Sequence, residues 1–355
     1  MADDRGYGIE LEKSYAEEVQ HSSFSPDWWI EADTPGFGMN AEPVTKRGAS
    51  RMNKRSRPGI AKPSGSTEQD ADLQRIGHIF RGYLDNYKYT KGSGSINTHE
   101  FWGGEGKSLQ SFRGIIMRDF LKKYIFGMLV NTINLECSDD SMSLNVDWIY
   151  KNEHAAKIGE NGETFTKPEA LEDDLFVMFY DILVELNEKT LLGDNGIVTS
   201  ATIEGNNNLA QDDSIGFGAR HPQIDALAGD RDNNITIVMT LAESIIEDII
   251  SMEYGQVVDF SEGYGELSSC QILDVPLKFT IQLCEYAQQQ LVIYFPKCTV
   301  NVTYDGSGTE VVKVTLNLSS LGSEEVNLAD GSTEVVTDMY VMLKNKQGEI
   351  KAKGA

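Results

Sequence analysis

The chain has 355 residues, 31 basic and 55 acidic, for a formal net charge of −24. Apolar residues make up 40% and charged residues 24%, ordinary globular values that exclude wholesale disorder and leave room for a sizeable core in one large domain or two ordinary ones. So negative a surface repels phosphates and argues against generic nucleic-acid binding. The longest unbroken apolar run, Leu175 to Tyr180, is too short to span a bilayer.

The opening MADDRGYGIELEK has neither a basic start nor an apolar core, which is not the pattern of a secretory signal. Residues 1–45 hold ten acids against Arg5 and Lys13 and are rich in turn formers. Within them Asp27-Trp28-Trp29-Ile30 reads as a docking point, because two adjacent tryptophans are costly to leave in water. The sign then reverses. Lys46, Arg47, Arg51, Lys54, Arg55, Arg57 and Lys62 follow with no acid among them, and Gly48, Pro58, Gly59, Pro63 and Gly65 predict an extended loop or arm. A basic arm beside an acidic body points to an acidic partner, most simply a second copy of the chain. The rival readings are a nuclear-localisation or nucleic-acid arm and a plain solvated loop.

Residues 70–86 carry Leu73, Ile76, Ile79, Phe80, Tyr83 and Leu84 at helical spacing and predict a short amphipathic helix. A glycine cluster follows from Lys91 to Lys107. Residues 109–126 read either as a helix through Leu109, Phe112, Ile116 and Phe120 or as two strands broken near Lys122-Lys123. Val130 to Cys137, a turn at 138–141, and the alternation of Met142, Leu144, Val146 and Trp148 predict a β-hairpin with one apolar face. Residues 151–168 read as polar loop. Residues 169–191 read as a helix opened by Pro168 and four acids, or as a strand over 176–186. From about 197 the chain is mostly β. Strands are expected around 197–203, 235–239, 275–286, 290–304, 309–318 and 334–345, with one isoleucine-rich helix at 242–253 and a loose tail after 345. The pattern is mainly β or α+β.

Few residues carry chemistry. Cys137, Cys270, Cys284 and Cys298 form no CxxC pair and read as buried free thiols in a reducing compartment. The 14-residue spacing of the last three suits successive strands of a meander. The five histidines stand apart, with no HxH or HExxH. Gly103-Gly104-Glu105-Gly106-Lys107-Ser108 resembles the end of a phosphate-binding loop, but Phe101 occupies the place of its first glycine. Asp230, Asp232 and Asn234 have the opening spacing of a calcium loop, yet Ile235 and Leu241 stand where that loop needs Gly and Glu. There is no GxSxG elbow. The composition calls for no enzyme, no metal and no cofactor.

One longer pattern is informative. Ile197 to Glu204 followed by Gly205-Asn206-Asn207-Asn208-Leu209 reads as a strand ending in an xNNL turn. Gly216-Phe217-Gly218-Ala219-Arg220-His221-Pro222, Gly229 and the strand at Asn234-Ile235-Thr236-Ile237 come next. Ile125 to Leu135 gives a G-x-x-V-N-x-L-x-L strand, and Tyr294-Phe295-Pro296-Lys297-Cys298 opens a closing hairpin. Glu31 to Gly38 adds a shorter match. In this order the chain resembles the major tail tube proteins of tailed bacteriophages over roughly residues 30–320. The basic segment 46–57 and the helix at 242–253 depart from that pattern.

The resemblance implies a β-sandwich with a flanking helix, whose strands join those of neighbours into a ring-shaped β-barrel. Six subunits would close each ring, and rings would stack into a hollow virion tail tube, assembled in the host cytoplasm. Its implied partners are further copies of itself, a tape measure protein inside the tube, a tail terminator, baseplate or tail-tip proteins and a contractile sheath where one exists. Viral DNA would pass through without specific binding, and no membrane insertion is implied. On this reading residues 1–65 form an arm, 66–345 the sandwich domain and 346–355 a flexible tail. Arg47, Arg51, Lys54, Arg55, Arg57, Trp28 and Trp29 are the expected inter-subunit contacts. The alternative is a β-rich tail-tip or adhesin-like binding module.

Overall fold

The computed structural model describes residues 5–352 except 18–23, 31–34, 48–52, 119–120, 139, 158–175, 260, 262–271, 285, 306–311, 323 and 332. The chain begins with β1 (Gly6–Leu11), β2 (Trp28–Ile30), β3 (Pro43–Arg47), β4 (Asn53–Pro58) and β5 (Ser64–Asp70), then α1 (Ile76–Tyr83). Next come β6 (Asn86–Thr90), β7 (Asn97–Trp102), β8 (Phe112–Arg118), β9 (Leu121–Cys137), β10 (Met142–Ile149) and β11 (Asn152–Lys157). The second half has β12 (Ile182–Leu186), β13 (Lys189–Thr190), β14 (Ile197–Asn206), β15 (Asp232–Thr240), α2 (Ile246–Tyr254), β16 (Val275–Gln282) and β17 (Gln290–Asp305). It ends with β18 (Lys313–Ser320), β19 (Glu324–Asn327), β20 (Glu334–Thr337) and β21 (Tyr340–Asn345). The molecule is mainly β, and every described pairing is antiparallel.

Two long strands organise it. One side of β9 carries β11 along its first half and β10 along its second, while the other side carries β8 and then β14. The switch falls at Gly127, whose φ of +67° is one that side chains resist. A Cβ there would also lie 2.9 Å from that of Ala16. β17 works the same way, with β16 along one side and β21 then β18 along the other. The ladder β5-β10-β9-β14-β15-β18-β17 runs through the first set, and β12-β16-β17-β21-β7-β6 through the second. The layers face each other. Leu135, Ala201 and Ile203 of β9 and β14 line a common apolar interior with Phe279, Ile281 and Ile293 of β16 and β17. α1 sits against β9 and β7, with Ile76, Ile79, Phe80 and Tyr83 all buried.

The open choices resolve toward strands. Residues 112–118 and 121–137 are two strands, separated just before Lys122-Lys123. Residues 182–186 are a strand after a 3-10 turn at Phe179–Asp181, and most of the stretch ahead of them lies outside the described residues.

Four expectations need correction. Residues 1–65 are not one arm: β1 lies inside the sheet between β2 and β8, with Tyr7, Ile9 and Leu11 buried. Gly-Tyr-Gly-Ile-Glu-Leu in fact alternates at the strand period, a signal obscured by the acids around it. Residues 152–157 are a strand rather than loop. The last strand predicted over 334–345 is two strands around a corner at Asp338. The tail is not loose up to 352, because Ile350 and Ala352 are buried and the Ile350 N–H donates to Tyr87 Oη at 3.0 Å.

Candidate assembly surface

The basic segment folds as a hairpin. β3 pairs with β4 and with no other described strand. The register sets Lys46 opposite Arg55 and Val44 opposite Arg57. Like charges facing each other across a ladder destabilise it, and a lone two-stranded hairpin is marginal in water. Val44 and Arg57 are exposed. Arg47, Lys54 and Arg55 stand on the two strands, and Arg51 lies outside the described residues.

The hairpin's root is tied to the loop between β14 and β15. The Ala61 N–H donates to Arg220 O at 2.6 Å, Gln211 Nε2 donates to Pro63 O at 2.8 Å, and Lys62 pairs with Asp212 at 2.6 Å. Midway along that loop stands Gly216-Phe217-Gly218. Nothing packs on either glycine, Gly218 takes φ +90°, and Phe217 stands fully exposed between them. Ile60, Ile224 and Leu227 add more than half-exposed apolar surface nearby. A bare phenylalanine at a loop tip, beside a cationic hairpin, has the make-up of a contact surface.

The asparagine turn holds this loop in place. Buried Asn207 donates from Nδ2 to Tyr83 O and to Val130 O, each at 3.1 Å, and its own N–H donates to Asn131 O at 2.8 Å. Asn208, at φ +48°, donates to Asp230 O and to Asp232 Oδ2, each at 2.8 Å. The xNNL pattern thus fastens the end of β14 to α1, β9 and β15.

Trp28 is not available to a neighbour. It is buried in its own chain, edge-on to Tyr7 at 5.5 Å and to His78 at 6.3 Å. Trp29 is half-buried and packs with Phe24, Ile115 and Tyr124 on the far face of β8 and β9. The tryptophan pair closes both faces of the sheet at β2, so the two residues expected at an interface are core and near-core.

The phosphate-loop-like segment is filled by the chain itself. The Gly104 and Gly106 N–H groups donate to the Asp85 carboxylate at 2.7 and 3.0 Å, which occupies the position an anion would take. Arg231 forks onto Asp338 at 2.8 and 2.9 Å, and Asn233 joins Asp338 to Tyr83. Gly104, Gly106, Arg231 and Asp338 line an open groove of about 670 Å³ between the glycine loop and the corner at Asp338. His99 is buried and held well below the usual histidine range, at about 4, by that burial. It bonds Tyr87 Oη at 3.0 Å and Gln347 O at 3.2 Å, a structural role. Burial raises the Cys137 and Cys298 thiols to about 11 and 12, while Cys284 is exposed and Cys270 lies outside the described residues. Among the described residues no cluster of three or more His, Cys, Asp or Glu could hold a metal ion. None of their helices is long and apolar enough to cross a membrane.

No known family model matches the chain, and no curated protein matches it.

Proposed function

We propose that the protein is a structural, self-assembling subunit whose rings stack into the hollow tail tube of a phage or related injection machine. The observation that carries the self-assembly part of the reading is the basic hairpin at 43–58, standing outside the main sheet of a chain whose net charge is −24. Its nearest source of anionic surface at useful concentration is another copy. The layered antiparallel body supports a ring, because outer strands such as β6 and β11 each pair on one side only among the described strands. Edges of that kind close by pairing with a neighbour. An acidic bore would let DNA slide without sticking. The strand-and-turn pattern from Ile125 to Leu135 and from Ile197 to Leu209 supports the same reading.

Negative-stain electron microscopy of the purified protein at rising concentration tests it. Six-fold rings or hollow tubes are the expected result. Compact trimers or dimers with no tubes would replace it with the adhesin-like module. Charge reversal at Arg51, Lys54 and Arg55 should prevent ring stacking, and normal tubes from that variant would remove the hairpin from the assembly contact.

A further inference from the structure

We propose that the pocket around Arg81 is a binding site for an organic carboxylate. Arg81 stands in the last turn of α1. It lines a pocket of about 390 Å³ together with residues 11–13 at the end of β1, Tyr87 of β6 and residues 349–352 after β21. The site stands whether or not the chain assembles.

What marks the pocket is a guanidinium with no acid of its own. Arg75, Arg113 and Arg231 each reach a carboxylate, on Asp72, Glu10 and Asp338 respectively. Arg81 reaches none among the described residues, and its Nε is buried without a hydrogen-bond acceptor. Burial opposes its charge and lowers its pKa. Asp85, four residues on along the same helical face, is the natural partner. Its carboxylate instead accepts the Gly104 and Gly106 N–H groups at 2.7 and 3.0 Å and lies 3.6 Å from Arg231. The two carboxyls of the pocket itself are committed as well. Glu12 accepts the Ala16 and Gly127 N–H groups, and Glu349 pairs with Lys351 at 2.8 Å. A guanidinium drawn out of water without a counter-charge is costly, and an anion in the pocket would remove that cost.

The walls select the kind of anion. The Arg81 Cζ lies 5.2 Å from the centre of the Tyr87 ring, and the Tyr87 Oη accepts the Ile350 N–H at 3.0 Å, so the ring is held in place beside the guanidinium. Leu11, Ile350 and Ala352 supply apolar wall, and Lys13 and Lys351 bring two further cations. The space exceeds what a lone inorganic ion fills. A planar cationic fork beside apolar wall fits a carboxylate carried on a short hydrocarbon chain. That group can arrive as a free small acid or as an aspartate or glutamate side chain of a second copy.

Calorimetric titration of the full chain with sodium glutarate at fixed ionic strength tests the site, with sodium phosphate as the comparison. Glutarate should bind saturably, one per chain, and at least about tenfold more weakly to R81Q, the weight of one charged hydrogen bond. Absence of saturable binding, equal binding by R81Q, or phosphate bound as tightly as glutarate would overturn the proposal. Without ligand, R81M should melt within about 2 °C of the wild type, because no ion pair is lost. A melt lowered by more than about 5 °C would reveal an internal partner for Arg81 and overturn the proposal too. If R81Q folds poorly, R81K takes its place in the titration, since it keeps the charge and loses the fork, and it too should bind more weakly. Sedimentation velocity then assigns the source of the carboxylate. Glutarate that disperses wild-type oligomers identifies a side chain of a second copy, whereas glutarate that binds and leaves sedimentation unchanged identifies a free acid.

Discussion

Glu12 is a carboxyl placed where its charge is costly. It is 2% exposed and accepts the Ala16 and Gly127 N–H groups at 2.8 and 2.9 Å, pinning the N-terminal segment to the kink of β9. Burial raises it to about 7 despite those donors. The folded state therefore binds this proton more tightly than the unfolded chain. The resulting stability is complete below the ordinary carboxyl range and is lost as pH rises through about 7. At pH 8.5 the loss is about 3 kcal/mol. In E12Q an amide N–H₂ faces a backbone N–H, so the variant should be weaker at pH 5. The gap should close or reverse by pH 8.5. Denaturation midpoints that run parallel across this range would refute the assignment. Asn207 makes a second residue-scale case. Alanine would leave two buried carbonyls without a donor, costing about 2–3 kcal/mol and lowering the melting temperature by about 5 °C or more. Aspartate would point a carboxylate at those carbonyls and should be worse. A melt of N207D above that of N207A would show that the amide is not the anchor.

At the level of elements, the hairpin β3–β4 is the part most separable from the body. It pairs only with itself among the described strands, so replacing residues 44–57 with a short Gly-Ser loop should move the melting temperature by no more than about 2 °C. Self-association should be lost in the same variant. A melt lowered by more than about 5 °C would mean that the hairpin braces the body instead. Some elements were legible in the residues. α1 announces itself because its apolar residues recur at one helical period and all of them are buried. The β9–β10 hairpin does so through strict alternation up to Trp148, whose Nε1 donates to Thr67 Oγ1 at 3.0 Å. The first half of β9 does not, for a physical reason. Ile125 and Met128 face the main core while Tyr124 and Phe126 face the cluster capped by Phe24, so burial on both faces removes the alternation.

Across the whole molecule, the antiparallel, mainly β layout could be read from turn spacing and alternation, whereas the layering could not. It depends on β9 and β17 changing partners midway, and only Gly127 hints at where. The candidate surface was half legible. The run of cations marked the hairpin, but nothing local distinguishes Phe217, bare at a loop tip, from a phenylalanine that folds inward. Trp28 shows the converse, since its pairing with Trp29 suggested a contact and tertiary packing against Tyr7 and His78 took it inside.

The two shared strands also have a mechanical meaning. β9 is hydrogen-bonded to four other strands and β17 to three, each along most of its length. A pull along the strand axis loads those bonds in shear, many at once, while a sideways pull opens them one after another. The subunit is therefore stiffest along its two long strands. A column of such subunits would flex by hinging at its joints, while the strands within each subunit keep their length.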